Sequence, residues 1–93
     1  MELLTEDEIA DRLGGTPGWT RQGSSITTTV TAADFRDAML FTSAVAYLAE
    51  QANHHPDILI RWNKVTLTLS THSAGGLTGA DFDLAAGIGT LRA

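Results

Sequence analysis

The 93-residue sequence contains no cysteine, which excludes disulfide frameworks and thiolate chemistry. Basic residues are also few: six lysines and arginines stand against eleven aspartates and glutamates, giving a formal net charge of −5. They are scattered along the chain, whereas a protein that binds a phosphate backbone usually carries a basic face. We therefore expect no nucleic acid as a direct partner.

Long apolar runs are absent as well. The longest uncharged stretch, residues 38–49, is much shorter than the roughly 20 residues that cross a bilayer. The N-terminal segment is acidic, whereas a secretory signal is basic and then apolar. The sequence therefore predicts a cytoplasmic protein with no membrane partner.

The composition is typical of one globular domain, which we expect to span residues 1–93. Hydrophobic residues make up 43% of the chain and charged residues 18%. A single core typically needs roughly 50 to 200 residues, and no linker or internal repeat is evident. Because so short a chain buries only a modest core, association of several copies would hide more apolar surface.

Three helices are predicted by capping-box spacing, in which a threonine precedes an acidic residue by three positions. The three pairs are Thr5 with Glu8, Thr31 with Asp34, and Thr78 with Asp81. The first helix is expected to end at Gly14-Gly15, the second at about Ala52 and the third at about Leu91.

Four strands are predicted between these helices. Trp19–Gln22 and Ile26–Thr31 form the first pair, and "DILIRW" and "VTLTLST" form a hairpin around Asn63-Lys64. Apolar and polar residues alternate in the last strand, as in an antiparallel sheet with one covered face. The sequence thus predicts an α+β fold in the order α-β-β-α-β-β-α, a four-stranded antiparallel sheet with helices packed on one face.

The long helix is apolar around much of its circumference. Its predicted core stripe has helical spacing and consists of Phe35, Ala38, Met39, Thr42, Ala46 and Ala49. Further apolar side chains fall on other faces, namely Leu40, Val45, Tyr47 and Leu48. Such a helix is either sandwiched or contacts a partner subunit, and we favour the subunit contact.

All three histidines of the chain are predicted to meet at one end of the hairpin. A two-residue loop at Asn63-Lys64 sets a register in which His72 returns opposite His55, about 5 Å away at Cα, with His54 adjacent. Imidazole, with an unperturbed pKa of about 6.5, can both accept and donate protons near neutral pH. The pattern therefore predicts an acid–base site.

Two carboxylates are expected beside the histidines. Glu50 precedes His54 by one helical turn, and Asp81 starts the helix after His72. Plainer interpretations stay open: Asp81 caps its helix, Glu50 is a solvated helix end, and the adjacent histidines are surface residues. A metal site is disfavoured, because consecutive residues of an extended chain point to opposite sides and no H-x-x-x-H motif occurs.

Together these residues resemble the pterin-4a-carbinolamine dehydratase family. The family pattern is an acidic residue, three residues, His-His-Pro, five residues, an aromatic, nine residues, His, and then Asp. It is matched without a gap by Glu50, His54, His55, Pro56, Trp62, His72 and Asp81. The segments "NKVTLTLSTH" and "GLTGADFDLA" are also similar to the family's hairpin and last helix.

The resemblance implies a dehydratase that converts 4a-hydroxytetrahydropterin to quinonoid dihydropterin and water, with no metal and no cofactor of its own. It implies acid–base roles for His54 and His72 and a ring-holding role for His55, and we take these three as the candidate catalytic residues. The supporting or substrate-binding candidates are Glu50, Asn53, Trp62 and Asp81, of which Asn53 stands where relatives often have aspartate. The tryptophans Trp19 and Trp62 are otherwise read as core or sheet-edge residues.

The resemblance also implies a homodimer or homotetramer formed through the sheet and the long helix. The alternative function is a non-enzymatic protein-binding module, because the same fold serves as a transcription-factor dimerisation cofactor and in assembly factors for a carbon-fixing enzyme. In this sequence the histidine set is intact, which favours the enzyme.

Overall fold

The computed structural model describes residues 2–91 and has the predicted α+β architecture. Its elements are α1 (Glu6–Gly14), β1 (Thr20–Gln22), β2 (Ser25–Thr31), α2 (Phe35–Ala52), β3 (Asp57–Arg61), β4 (Lys64–Leu69) and α3 (Gly79–Ile88). A one-turn 3₁₀ helix, His72–Ala74, lies between β4 and α3. The predicted element order is confirmed.

The four strands form one antiparallel sheet in the order β1-β2-β4-β3. One face of the sheet carries fully buried side chains such as Val65, Leu67 and Leu69, which join the same core cluster as residues of all three helices. On the other face, which we call the open face, threonines of β2 pair with threonines of β4, as in the 3.0 Å contact between the Thr29 and Thr66 hydroxyls. The helices thus cover only one face, as predicted.

The predicted hairpin register is wrong by two residues. The loop is Trp62-Asn63, so Arg61 pairs with Lys64, and Ile60 pairs with Val65 rather than with Leu67. Side chains along a strand alternate with period two, so a slip of two residues leaves every side chain on the same face. The apolar pattern therefore could not distinguish the two registers.

Contacts outside the hairpin favour the observed loop. Asn63 accepts a hydrogen bond from the Ala32 amide at 2.8 Å and its side-chain amide donates to the Ala32 carbonyl at 3.0 Å. Trp62 adopts a left-handed conformation with φ of 52°. Turn propensity does not favour a tryptophan at such a position, so the sequence contains no local signal for this loop.

The N-terminus of α2 also differs from the prediction. Asp34, not Thr31, is the N-cap, and its carboxylate accepts a hydrogen bond from the Asp37 amide at 2.8 Å. Thr31 is the last residue of β2. Aspartate and threonine are both good N-caps, and the length of β2 determines which of them is in place.

The core stripe of α2 is rotated from the predicted one. The buried residues of the helix are Ala38, Phe41, Val45 and Ala49. Phe35 and Met39, assigned to the core from the sequence, are 53% and 39% exposed, and Ala46 is exposed as well. Two apolar stripes of helical period coexist on α2, and only its packing against the sheet selects one of them.

The other two helices begin as predicted. Thr5 with Glu8 and Thr78 with Asp81 both form complete capping boxes. The end of α3 is at Ile88, three residues before the predicted Leu91. Glycines at positions 87 and 89 lower helix propensity there. No helix within residues 2–91 is long and apolar enough to cross a membrane.

Candidate active site

The candidate site begins at the C-terminus of α2. Asn53 adopts the left-handed conformation (φ 49°, ψ 44°) and ends the helix. The His54 amide donates to the Ala49 carbonyl at 3.0 Å and the Asn53 amide donates to the Glu50 carbonyl at 3.2 Å, which is the hydrogen-bond pattern of a Schellman motif. Asparagine tolerates this conformation better than most residues. Asn53 therefore redirects the chain so that His54 and His55 leave the helix axis.

His54 is oriented by the buried carboxylate of Asp81. Its Nε2 lies 2.6 Å from Asp81 Oδ1, and the side chains are 14% and 0% exposed. Asp81 Oδ2 accepts two further hydrogen bonds, from the Thr71 hydroxyl at 2.8 Å and the Thr78 amide at 2.9 Å. A carboxylate that accepts all three bonds needs the His54 proton on Nε2, and this assignment leaves Nδ1 as the free nitrogen.

Asp81 satisfies both interpretations that the sequence left open. It is the N3 residue of the α3 capping box and, through its other oxygen, the partner of His54. The same carboxylate thus fixes the start of a helix and the orientation of an imidazole.

Glu50 contacts His55 rather than His54, contrary to the predicted pairing. Glu50 Oε2 lies 2.5 Å from His55 Nε2, and the two side chains are 77% and 57% exposed. The helical spacing that would place Glu50 beside His54 does not apply, because α2 ends at Ala52. An ion pair this exposed contributes little to stability, about 0–1 kcal/mol.

His72 starts the 3₁₀ helix, where it is exposed and makes no side-chain hydrogen bond to the described part of the chain. The loop that carries it is closed by Thr71 and Gly76, whose amide and carbonyl meet at 2.9 Å. The Gly75 φ of 79° allows this tight return. His72 is therefore held by a closed loop and not by the strand ladder.

All three histidines line one hollow of about 240 Å³. Its lining residues are Asn53, His54, His55, Ser70, Thr71, His72 and Ser73. The structure thus brings the histidines together as the sequence predicts, although the predicted pairing of His55 with His72 is wrong: continuing the observed register would place His55 opposite Ser70. We call this cavity the histidine hollow.

Trp62 does not join the histidine hollow within one chain. It is 68% exposed in the loop at the far end of the β3–β4 hairpin. At a rise of about 3.3 Å per residue, β3 separates it from the histidines by roughly 20 Å. Its proposed supporting role would therefore require another copy of the chain.

Thr71 and Ser70 are site residues that sequence reasoning missed. Thr71 holds Asp81, and its hydroxyl also lies 2.8 Å from the Thr78 hydroxyl, so the two loop ends are joined around the carboxylate. No spacing pattern in the sequence distinguishes Thr71 from the threonines of β2 and β4. Among residues 2–91, no group of three or more His, Asp or Glu side chains is arranged to hold a metal ion.

Comparison with known proteins places the chain in a family. A family model described as "Pterin 4 alpha carbinolamine dehydratase" matches residues 2–91. A Roseiflexus castenholzii protein named "Putative pterin-4-alpha-carbinolamine dehydratase" is 62% identical over 86 residues, 92% of each chain. A Nocardia farcinica protein of the same name is 56% identical over 90 residues, 97% of this chain and 95% of that one.

Two solved structures share the fold. One is described as a transcriptional coactivator/pterin dehydratase from Brucella melitensis; it aligns with a TM-score of 0.90 and 34% identity, covering 94% of this chain and 95% of that one. The other is described as a pterin dehydratase-like protein identified as a RuBisCO assembly factor in the alpha-carboxysome, with a TM-score of 0.65 and 24% identity over 76% and 84% of the two chains. The second likeness concerns the fold alone. Since the family match extends over every described residue, the chain belongs to the pterin 4 alpha carbinolamine dehydratase family.

Proposed function

We propose that this protein is a dehydratase that converts 4a-hydroxytetrahydropterin to quinonoid dihydropterin and water, in the recycling of tetrahydropterin. Family membership supports the reaction class. The observation that carries the proposal is the convergence of His54, His55 and His72 on one hollow, with His54 held by a buried carboxylate. A merely structural histidine cluster would not need two free imidazole nitrogens at one cavity.

The chemistry requires two proton transfers. A base removes the proton of the ring N–H, the nitrogen lone pair forms a C=N bond to C4a, and the C4a–O bond breaks. An acid protonates the departing hydroxide, which leaves as water. One group gains the proton that the other loses, so exchange with solvent restores both.

The hydrogen bond of His54 and the unengaged imidazole of His72 in the described chain support these two roles. With its Nε2 proton held by Asp81, neutral His54 presents Nδ1 as an acceptor. His72 has no bond to other described side chains and is free to donate when protonated. The two imidazoles would exchange roles according to the stereoisomer bound. His55, held by Glu50, would contact the pterin ring.

The size of the expected effect follows from general acid–base catalysis, which is worth roughly 10²- to 10⁴-fold. The uncatalysed dehydration proceeds by itself, so this modest assistance suffices and needs no metal or cofactor. A small, open site is consistent with acid–base assistance of this size.

The test is the dehydration rate of freshly generated 4a-hydroxytetrahydropterin, corrected for the uncatalysed reaction. We expect wild type to accelerate it and the His54→Ala/His72→Ala variant to lose roughly 10²- to 10⁴-fold of that acceleration while keeping its far-UV circular dichroism. Lys64→Ala, exposed at the far end of the hairpin, is the control and should retain the rate. Equal rates for the double variant and wild type would refute the proposal.

A second candidate is a non-enzymatic protein-binding module. It is favoured by the large exposed apolar side chains of α2, such as Leu40 at 57% and Tyr47 at 63%, and by the coactivator description of the Brucella relative. Folded wild type that gives no acceleration would support this candidate. We also propose that the same α2 surface and β3 mediate the expected dimer or tetramer.

A further inference from the structure

The segment of residues 2–4 lies against the loop that carries His72. The Leu4 amide donates to the Leu77 carbonyl at 2.9 Å, which fastens this segment to the end of the loop. Thr5, the next residue, is the N-cap of α1, so the capping box of that helix fixes the other end of the segment. We call residues 2–4 the strap.

Leu3 is the residue of the strap that covers the loop. A Cβ atom added to Gly76 would lie 3.1 Å from Leu3 Cδ2, so the leucine side chain lies directly over the glycine. The φ of Gly76 is not positive, so its backbone conformation does not require glycine. The lack of a side chain at this position instead allows Leu3 to approach closely.

The strap touches a part of the loop that is bonded to the loop's beginning. Thr71 and Gly76 exchange two backbone hydrogen bonds, of 2.9 Å from the Thr71 amide and 3.3 Å from the Gly76 amide. Within this closed loop, the Gly75 amide donates to the His72 carbonyl at 3.1 Å. A displacement of Gly76 is therefore transmitted to His72.

The His72 imidazole depends on this backbone support. Its side chain makes no hydrogen bond to the described part of the chain, so the loop backbone, and not a polar partner, determines where the ring lies. His54 differs, because Asp81 orients its ring directly. Loosening the loop should therefore displace the His72 ring and leave the His54 ring in place.

We propose that Leu3 is a positioning residue for His72: by covering Gly76, it holds the loop where the His72 imidazole can transfer a proton. This inference rests on the proposed function, since Leu3 would act only through the catalytic role of His72. A catalytic group that is displaced by about 1 Å can lose roughly 10²-fold in rate, so a small movement of the loop is sufficient.

Amide hydrogen exchange tests the contact without turnover. Leu3→Ala uncovers Gly76, and losing the buried half of a leucine side chain should raise the exchange rates of the Thr71, Gly75 and Gly76 amides about fivefold. Leu3→Met keeps a long apolar side chain and should restore the protection. The matched control is Glu2→Ala, whose side chain makes no hydrogen bond to another described residue and whose loss should leave exchange unchanged. Loop exchange in Leu3→Ala equal to that of wild type would overturn the inference.

The dehydration rate tests whether the contact acts through His72. We expect Leu3→Ala to lower kcat/KM by about tenfold, and Glu2→Ala to leave it unchanged. In the His72→Ala background, where His54 remains to give a measurable rate, Leu3→Ala should have no further effect, because no imidazole is left to misplace. A purely structural role of Leu3 would lower kcat/KM equally in both backgrounds, and that result would overturn the inference.

The same rates separate this inference from the proposed function. Wild type that accelerates dehydration, with no loss in Leu3→Ala, overturns the inference alone. Folded wild type that gives no acceleration overturns the proposed function, and the positioning role of Leu3 with it.

Discussion

At the scale of single residues, the two histidine–carboxylate pairs of the site differ in burial. Asp81 is fully buried and its carboxylate accepts three hydrogen bonds, whereas the Glu50 side chain is 77% exposed and within the described chain its carboxylate is hydrogen-bonded to His55 alone. A buried, fully hydrogen-bonded carboxylate orients its partner far more strongly than an exposed one. Asp81 should therefore matter more for the His54 tautomer than Glu50 does for His55.

Asp81→Asn tests this difference. An amide has one acceptor oxygen, and if that oxygen keeps the Thr71 and Thr78 donors, the NH₂ group faces His54 Nε2 and moves the imidazole proton to Nδ1. We expect kcat/KM to fall by about 10²-fold and stability to fall by about 1–3 kcal/mol. Nitrogen NMR shifts of the imidazole would report the tautomer change, which a purely structural role of Asp81 would not produce.

Glu50→Gln is the comparison. Because the Glu50–His55 pair is exposed, we expect Glu50→Gln to lower kcat/KM by less than about tenfold and to leave the His54 tautomer unchanged. Equal losses of kcat/KM for Asp81→Asn and Glu50→Gln would contradict the greater importance of Asp81.

At the scale of secondary-structure elements, chain reversals position the site. A left-handed Asn53 ends α2 before His54, and a closed loop with Gly75 presents His72. The remote helix α1 buries Ile9 in the core and also makes surface ion pairs. Arg21 of β1 bonds both carboxylate oxygens of Glu6, and Arg12 contacts Asp83 of α3 at 2.8 Å. These contacts attach α1 to the sheet and to α3 independently of the histidines.

The Glu6–Arg21 pair predicts a pH dependence. Its hydrogen bond and charge lower the pKa of Glu6 and raise that of Arg21. A lowered carboxyl pKa contributes stability above the ordinary value of about 4.3, and that contribution is lost as the pH falls through the lowered pKa. Arg21 stays protonated throughout this range.

Urea midpoints at pH 7 and pH 3 measure this effect. We expect wild type to lose slightly more stability on acidification than Glu6→Gln does, a small difference because the pair is exposed. The control is Glu2→Gln, which removes a carboxylate that makes no bond to another described residue and should lose as much stability as wild type between the two pH values. An identical loss for wild type and Glu6→Gln would contradict the prediction.

At the scale of the whole molecule, apolar exposure is concentrated in two places. Apart from Leu3, the large exposed apolar side chains of residues 2–91 lie on α2 or on the β3 strand and its loop. The full set on these elements is Phe35, Met39, Leu40, Tyr47, Ile58, Leu59 and Trp62. β3 is also an edge strand, whose outer backbone groups are unpaired within the described sheet. Both features are typical of surfaces that other protein chains cover.

Sedimentation equilibrium tests the expected oligomer. We expect wild type to be a dimer or tetramer, and Leu40→Glu to shift the mass toward smaller species by placing a charge on the α2 surface. Gln22→Glu adds the same charge on the opposite edge strand, β1, and should leave the mass unchanged. A monomeric wild type would refute the expectation.

The sequence alone determined the element order, two of the three predicted capping boxes and the meeting of the histidines, because all of these depend on local spacing and on a hairpin that returns the chain. It could not determine the hairpin register, since a two-residue slip preserves the apolar pattern. Nor could it choose between the two apolar stripes of α2, or show that Thr71 and Asp81 share a hydrogen bond. Those outcomes arise from contacts between segments distant in the chain, and only the tertiary structure decides them.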